Sequence, residues 1–130
     1  MILCVAVSLF ALPTKAQTDE SLYNHFIFEA FYTPKDYIVH FADKYQAPKE
    51  QLLAVSWCES MYNPEAIGDH GSAKNIFQYH KGTFDRYSAL MGEQLDYNSA
   101  HDQAKLTAWV FKNMPKEKRA WTCSKIVGII

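Results

Sequence analysis

Four of the chain's five prolines, at positions 34, 48, 64 and 115, divide the sequence into short pieces. Proline has no backbone N–H and clashes with the turn before it, so it opens a helix or ends one. Thr33-Pro34 opens the first predicted helix, with Thr33 as cap and Asp36 placed to favour the helix dipole. Ile38, Phe41, Ala42 and Tyr45 recur at helical spacing and form its apolar face. Pro48 opens a second helix with Leu52, Val55, Ser56 and Glu59 along one side. Leu53, Trp57 and Cys58 occupy neighbouring positions, so this helix is apolar nearly all round and is expected to be central. Asn63-Pro64 ends it, since a residue before proline avoids the helical region.

Residues 66–80 are irregular, with Gly68, Gly71 and a polar stretch, and Ile76, Phe77 and Tyr79 suggest a short hairpin or extended turn there. Thr83 is the expected cap of a helix through Met91, stopped at Gly92. Ser99, with Asp102 three residues on, resembles a capping box for a helix to about Asn113. Its apolar face carries Ala104, Ala108 and Phe111, with Leu106 and Val110 beside them. Met114-Pro115 stops this helix and leaves Trp121 and Cys123 in a tail. No repeat or linker interrupts the pattern. The expected fold is one mainly α domain of short helices.

The chain's 130 residues suffice for one modest core. Thirteen Lys and Arg against 14 Asp and Glu supply no field for a polyanion, which disfavours nucleic acid as a partner. The five histidines show no metal spacing, so no metal or other cofactor is expected. Residues 1–16 begin with the apolar run MILCVAVSLFAL, shorter than the roughly 20 residues that span a bilayer. The run reads as the apolar part of a secretory signal peptide cut before Gln17, although no Lys or Arg precedes it; an N-terminal core helix is the competing reading. Export would remove Cys4 and leave Cys58 and Cys123 as an even pair in an oxidising compartment. A disulfide between them closes a loop of about 65 residues, worth about 3–4 kcal/mol of loop-closure entropy. Two buried free thiols are the alternative.

The segment WCESMYNPEAIGDHGSAKNIFQYH, residues 57–80, carries the most chemistry. Glu59 falls at the end of an apolar helix, before a polar loop with two glycines. Desolvated among Trp57, Phe77 and Tyr79, its carboxyl would stay protonated near neutrality and act as a general acid. An ordinary solvated glutamate at a helix end fits the same sequence. Adjacent helical positions point about 100° apart, so Cys58 can tether the helix while Glu59 faces a cleft.

Glu59-Ser60, Asn63-Pro64, Ala66, Gly68-Asp69, Gly71 and the run Ala73-Lys74-Asn75-Ile76-Phe77-Gln78 together resemble the signature of lytic transglycosylases, of the lysozyme-like superfamily. The usual pattern reads E-S-x-x-N-P-x-A, a Gly-rich turn, then Gly-Leu-Met/Phe-Gln. The resemblance extends loosely through LDYNSAHDQAKLTAWVFKN to AWTC, about residues 46–124. Small exported members commonly place one cysteine beside the glutamate and another after a terminal tryptophan. Asn75 stands where the family has glycine, and asparagine is the commonest substitute able to take a left-handed backbone. The family's frequent A-Y-N-A-G segment is absent, and Tyr97 is the nearest stand-in for its assisting tyrosine.

The resemblance implies an exported, periplasmic or secreted enzyme that cuts the β-1,4 link between N-acetylmuramic acid and N-acetylglucosamine at the cell wall. Glu59 is the implied acid and then base, and the product carries a 1,6-anhydro ring. Gln78 is expected to orient a sugar or the glutamate. Ser60 either bonds backbone or an acetamido group. Phe77, Tyr79 and Trp121 are either core or sugar-stacking residues, with Tyr62 and His80 as weaker candidates. Hydrolysis, as in a lysozyme, would need a second carboxylate about 5–9.5 Å away, for which Asp69 and Asp85 are available. Asp69 has the simpler role of holding its glycine turn, and Asp85 that of a first-turn residue. A wall-binding module without catalysis is the non-enzymatic alternative. The expected partner is the peptidoglycan strand, met by a monomer, in the setting of wall opening for secretion, conjugation or phage release.

Overall fold

A computed structural model describes residues 32–130. The predicted signal peptide at 1–16 lies outside the described residues. Of the described chain, 64% is helical and 6% strand, in keeping with the mainly α expectation.

Helix α1 spans Pro34–Tyr45 and starts as its sequence demands. Thr33 Oγ1 accepts the Asp36 N–H at 3.3 Å, and the Asp36 carboxylate accepts the Thr33 N–H at 2.8 Å. Two donors that the first turn would leave unpaired are thereby satisfied. Its buried face is Tyr37, Ile38, Phe41 and Ala42. Helix α2 spans Lys49–Ser60, with Pro48 as its cap residue. The sequence, apolar nearly all round here, suggested a central helix, and the structure corrects this. Leu52, Val55, Ser56 and Ser60 form one buried stripe, whereas Trp57 is 56% exposed.

Two-residue strands β1 (Ile67–Gly68), β2 (Ala73–Lys74) and β3 (Tyr79–His80) follow. They form an antiparallel sheet in chain order, with Gly68 opposite Ala73 and Ala73 opposite His80. A 3₁₀ turn, Asp69–Gly71, joins β1 to β2. Asp69, His70 and Gly71 all take positive φ. Helix α3 spans Lys81–Met91 and stops at Gly92, whose φ of 79° places it in the left-handed region. The helix is capped at His80, so Thr83 lies inside its first turn and is not the cap.

The central helix is α4, Ala100–Asn113, with seven buried residues from Gln103 to Phe111. It packs against α1, α2, α3 and the following 3₁₀ segment, Pro115–Ala120. Ser99 Oγ accepts the Asp102 N–H at 3.2 Å. The reciprocal half of the box does not form, because the Asp102 carboxylate takes the Asp96 N–H and His101 Nδ1 instead. The expected tail is a short helix, α5, Thr122–Ile126. A disulfide joins Cys58 on α2 to Cys123 on α5, with Cα atoms 5.8 Å apart. None of the described helices is long and apolar enough to cross a membrane.

Candidate active site

The sheet, the end of α2 and the start of α5 enclose a cleft of about 310 Å³. Glu59 enters from α2, and Asp69 from the 3₁₀ turn. Ala73, Gln78, Tyr79 and His80 come from the sheet and its connections, and Thr83 from α3. Ala120, Trp121 and Thr122 close the far side.

Glu59 sits there because its helical neighbours point elsewhere. Ser56 and Ser60, one turn apart, face inward, and both hydroxyls donate to the Ile76 carbonyl, at 3.0 and 2.9 Å. That carbonyl belongs to the turn after Asn75, so the two serines fasten α2 to the sheet connection. Glu59 is half-buried beside them. Burial pushes its carboxyl above the usual glutamate range. The backbone N–H of Cys123, 3.4 Å from Glu59 Oε1, opposes the rise, and the Asp69 carboxylate adds to it. A carboxyl displaced upward in a cleft is suited to give a proton to a bound group and take one back.

Gln78 is held as firmly. Its φ of 47° is left-handed, and its amide donates to the carbonyls of Asn75 (2.8 Å) and Ala66 (3.1 Å). Both donors of the NH₂ group face protein, and Oε1 lies beside Gly68, the only residue type that leaves it room. Asn75 takes the left-handed backbone expected of it, with φ 69°. Its side chain turns away from the cleft: Nδ2 donates to the Asn98 carbonyl at 2.8 Å, and Oδ1 accepts the Ile76 N–H at 2.7 Å.

The aromatic candidates divide. Phe77 is fully buried and does not line the cleft. Its N–H donates to Gln103 Oε1, and its carbonyl accepts the Trp121 indole N–H at 2.9 Å. Tyr79 and Trp121 border the cleft, but only 2% and 5% of each residue is exposed. The Tyr79 hydroxyl pairs with Thr107 Oγ1, and the two rings meet edge to face at 5.2 Å. These rings form the cleft's floor. Ser60 is likewise buried with its hydroxyl occupied.

Of the weaker candidates, His80 and Asp69 are brought together. His80 Nε2–H donates to Asp69 Oδ2 at 2.7 Å on the cleft rim. Asp85 is ion-paired with Lys81 one turn away and does not line the cleft. The Tyr97 hydroxyl donates to the Tyr79 carbonyl at 2.6 Å and so braces β3. Tyr62 lies against the exposed Trp57 ring, outside the cleft. Thr83 and Thr122 are the lining hydroxyls that sequence reasoning missed. Thr83 carries a capping signature, and Thr122 follows a tryptophan in what read as a tail. Among the described residues no group of three His, Cys, Asp or Glu is placed to hold a metal ion. Comparison with protein-family models, with curated proteins and with solved structures finds no match.

Proposed function

We propose that the chain is a lytic transglycosylase of peptidoglycan, with Glu59 as the one acid–base group. The observation that carries the reading is a half-buried carboxyl, raised in pKa by its burial, facing a cleft whose other carboxylate is already bonded to a histidine. The sequence pattern around Glu59 supplies the substrate class. Glu59 gives its proton to the oxygen bridging N-acetylmuramic acid and N-acetylglucosamine, and the C1–O bond breaks. The substrate's acetamido group shares the positive charge at C1. The Glu59 carboxylate then takes the proton of the C6 hydroxyl, whose oxygen bonds C1 and closes the 1,6-anhydro ring. One carboxyl suffices because the nucleophile is already attached to the substrate, at high effective molarity. Export fits the Cys58–Cys123 disulfide, since such bonds persist in oxidising compartments.

Asp69 on the rim favours a second reading, hydrolysis, in which it would serve as the other carboxylate. Mass spectrometry of muropeptides released from purified peptidoglycan separates the two. Products one water lighter than hydrated sugars, absent with Glu59→Gln, are the expected result. Hydrated reducing ends would replace the lyase with a lysozyme, and binding without products would leave a wall-binding module.

A further inference from the structure

We infer that the Cys58–Cys123 disulfide is the positioning device for Glu59, so that the carboxyl is set for work only while the bond is oxidised. The inference rests on the reading of Glu59 as the acid–base group. Three observations carry it. Cys58 is the residue before Glu59, and its bond runs to Cys123. The backbone N–H of Cys123 makes the hydrogen bond to Glu59 Oε1. Trp121 and Thr122, immediately before Cys123, form the cleft wall facing Glu59.

One covalent bond therefore ties the glutamate's helix to the segment that carries its hydrogen-bond donor and the wall facing it. Helix α5 has five residues, far below the length at which a helix persists unaided. Its hydrogen bonds to the rest of the fold near the cleft are few, the Trp121 indole N–H to the Phe77 carbonyl and the Cys123 N–H to Glu59, and upstream of the disulfide the Trp121 ring also packs against Tyr79, Tyr87 and Phe111. Ser124 Oγ is buried without a partner, so the segment has no side-chain bond there to hold it. Reduction by a dithiol passes two electrons and two protons to the cysteines and leaves two thiols, with the dithiol oxidised to its own disulfide. The tether is then gone while α2 remains fastened through Ser56 and Ser60.

The sign of the effect follows from the groups around Glu59. Burial is the largest influence and raises its pKa; the Cys123 N–H lowers it, and Asp69, bonded to His80, raises it. Loosening α5 removes burial and the N–H together, and the larger influence wins. The carboxyl of the reduced protein titrates lower, and less of the acid form remains at neutral pH.

The test compares the oxidised protein, the protein reduced with a phosphine, and Cys58→Ala/Cys123→Val, which keeps apolar packing without the bond. Circular dichroism monitors the fold, and ¹³C-glutamate NMR follows Glu59, identified by the signal lost in Glu59→Gln. The expected result is a retained helical spectrum and a Glu59 titration moved to lower pH. Peptidoglycan cleavage should fall at least tenfold at pH 7, mainly in kcat, with partial recovery at acid pH. An unchanged titration in a reduced, folded protein would overturn the inference. So would collapse of the helical spectrum on reduction, because the bond would then hold the fold and not the carboxyl. An oxidised protein that never cuts glycan would count against the enzymatic reading alone, and the NMR titration would still decide this one.

Discussion

Gly68→Ala tests how the cleft is built, because it adds one carbon at a place the structure leaves no room for. Gly68 has an extended backbone, φ −124°, so alanine is not strained there on conformational grounds. Its Cβ, however, would stand 2.5 Å from Gln78 Oε1. Ordinary van der Waals contact needs roughly 1 Å more. The Gln78 amide cannot retreat freely, since its nitrogen donates to both Asn75 and Ala66. Each carbonyl keeps a backbone donor, so losing one of these bonds costs about 0.5–1.5 kcal/mol, and the glutamine side chain forced off its rotamer adds about 0.5–1.5 kcal/mol. The gain from a less flexible unfolded chain returns about 0.4–1 kcal/mol. A net loss of about 1–2 kcal/mol is expected, or roughly 4–16 °C in Tm for a domain of this size. Urea and thermal unfolding with the disulfide intact measure it, and the same substitution in a Gln78→Ala background should cost almost nothing. A Gly68→Ala protein as stable as the parent, or an equal cost in both backgrounds, would refute the steric argument.

Two further outcomes follow from the same region. Because the folded state raises the Glu59 pKa, it holds the proton more tightly than the unfolded chain, and stability declines as pH rises from the unfolded pKa through the folded one. Glu59→Gln cannot ionise, so it should match the parent at acid pH and exceed it in stability at neutral pH; a parent more stable than the variant at pH 8 by urea unfolding would contradict this. At Asn75, replacement by glycine suits φ 69° but removes the side-chain bonds to Asn98 and Ile76, while alanine removes them and adds backbone strain. Glycine should cost about 1 kcal/mol and alanine about 2–3 kcal/mol in urea unfolding; alanine tolerated better than glycine would show that the left-handed turn is not what the asparagine maintains.

Local chemistry made much of this protein legible in its sequence. The Thr33-Pro34 start, the stop at Gly92 and the Ser99 start all act within about one turn of chain, and each is found where the residues place it. Cys58 and Cys123 could be paired by parity once Cys4 was set aside, and the structure bonds them. Glu59 at the end of an apolar helix fits a solvated residue as well as a general acid, and it is the resemblance of the pattern around it that singles it out. What the sequence could not express is which face of each segment another segment would cover. α2 reads as apolar nearly all round and central, yet its buried residues are one stripe, Leu52, Val55, Ser56 and Ser60, and Trp57 is left in solvent. Thr83 reads as a cap, but His80 opens that helix, because pairing of β3 extends the ordered chain up to residue 80. Tyr79 and Trp121, distant in the chain, meet edge to face at 5.2 Å, and only that meeting turns two candidate stacking rings into a floor. Capping and period are properties of neighbouring residues; burial, hydrogen-bond saturation and the displaced pKa of Glu59 belong to segments distant in the chain, and they come into being only when those segments pack.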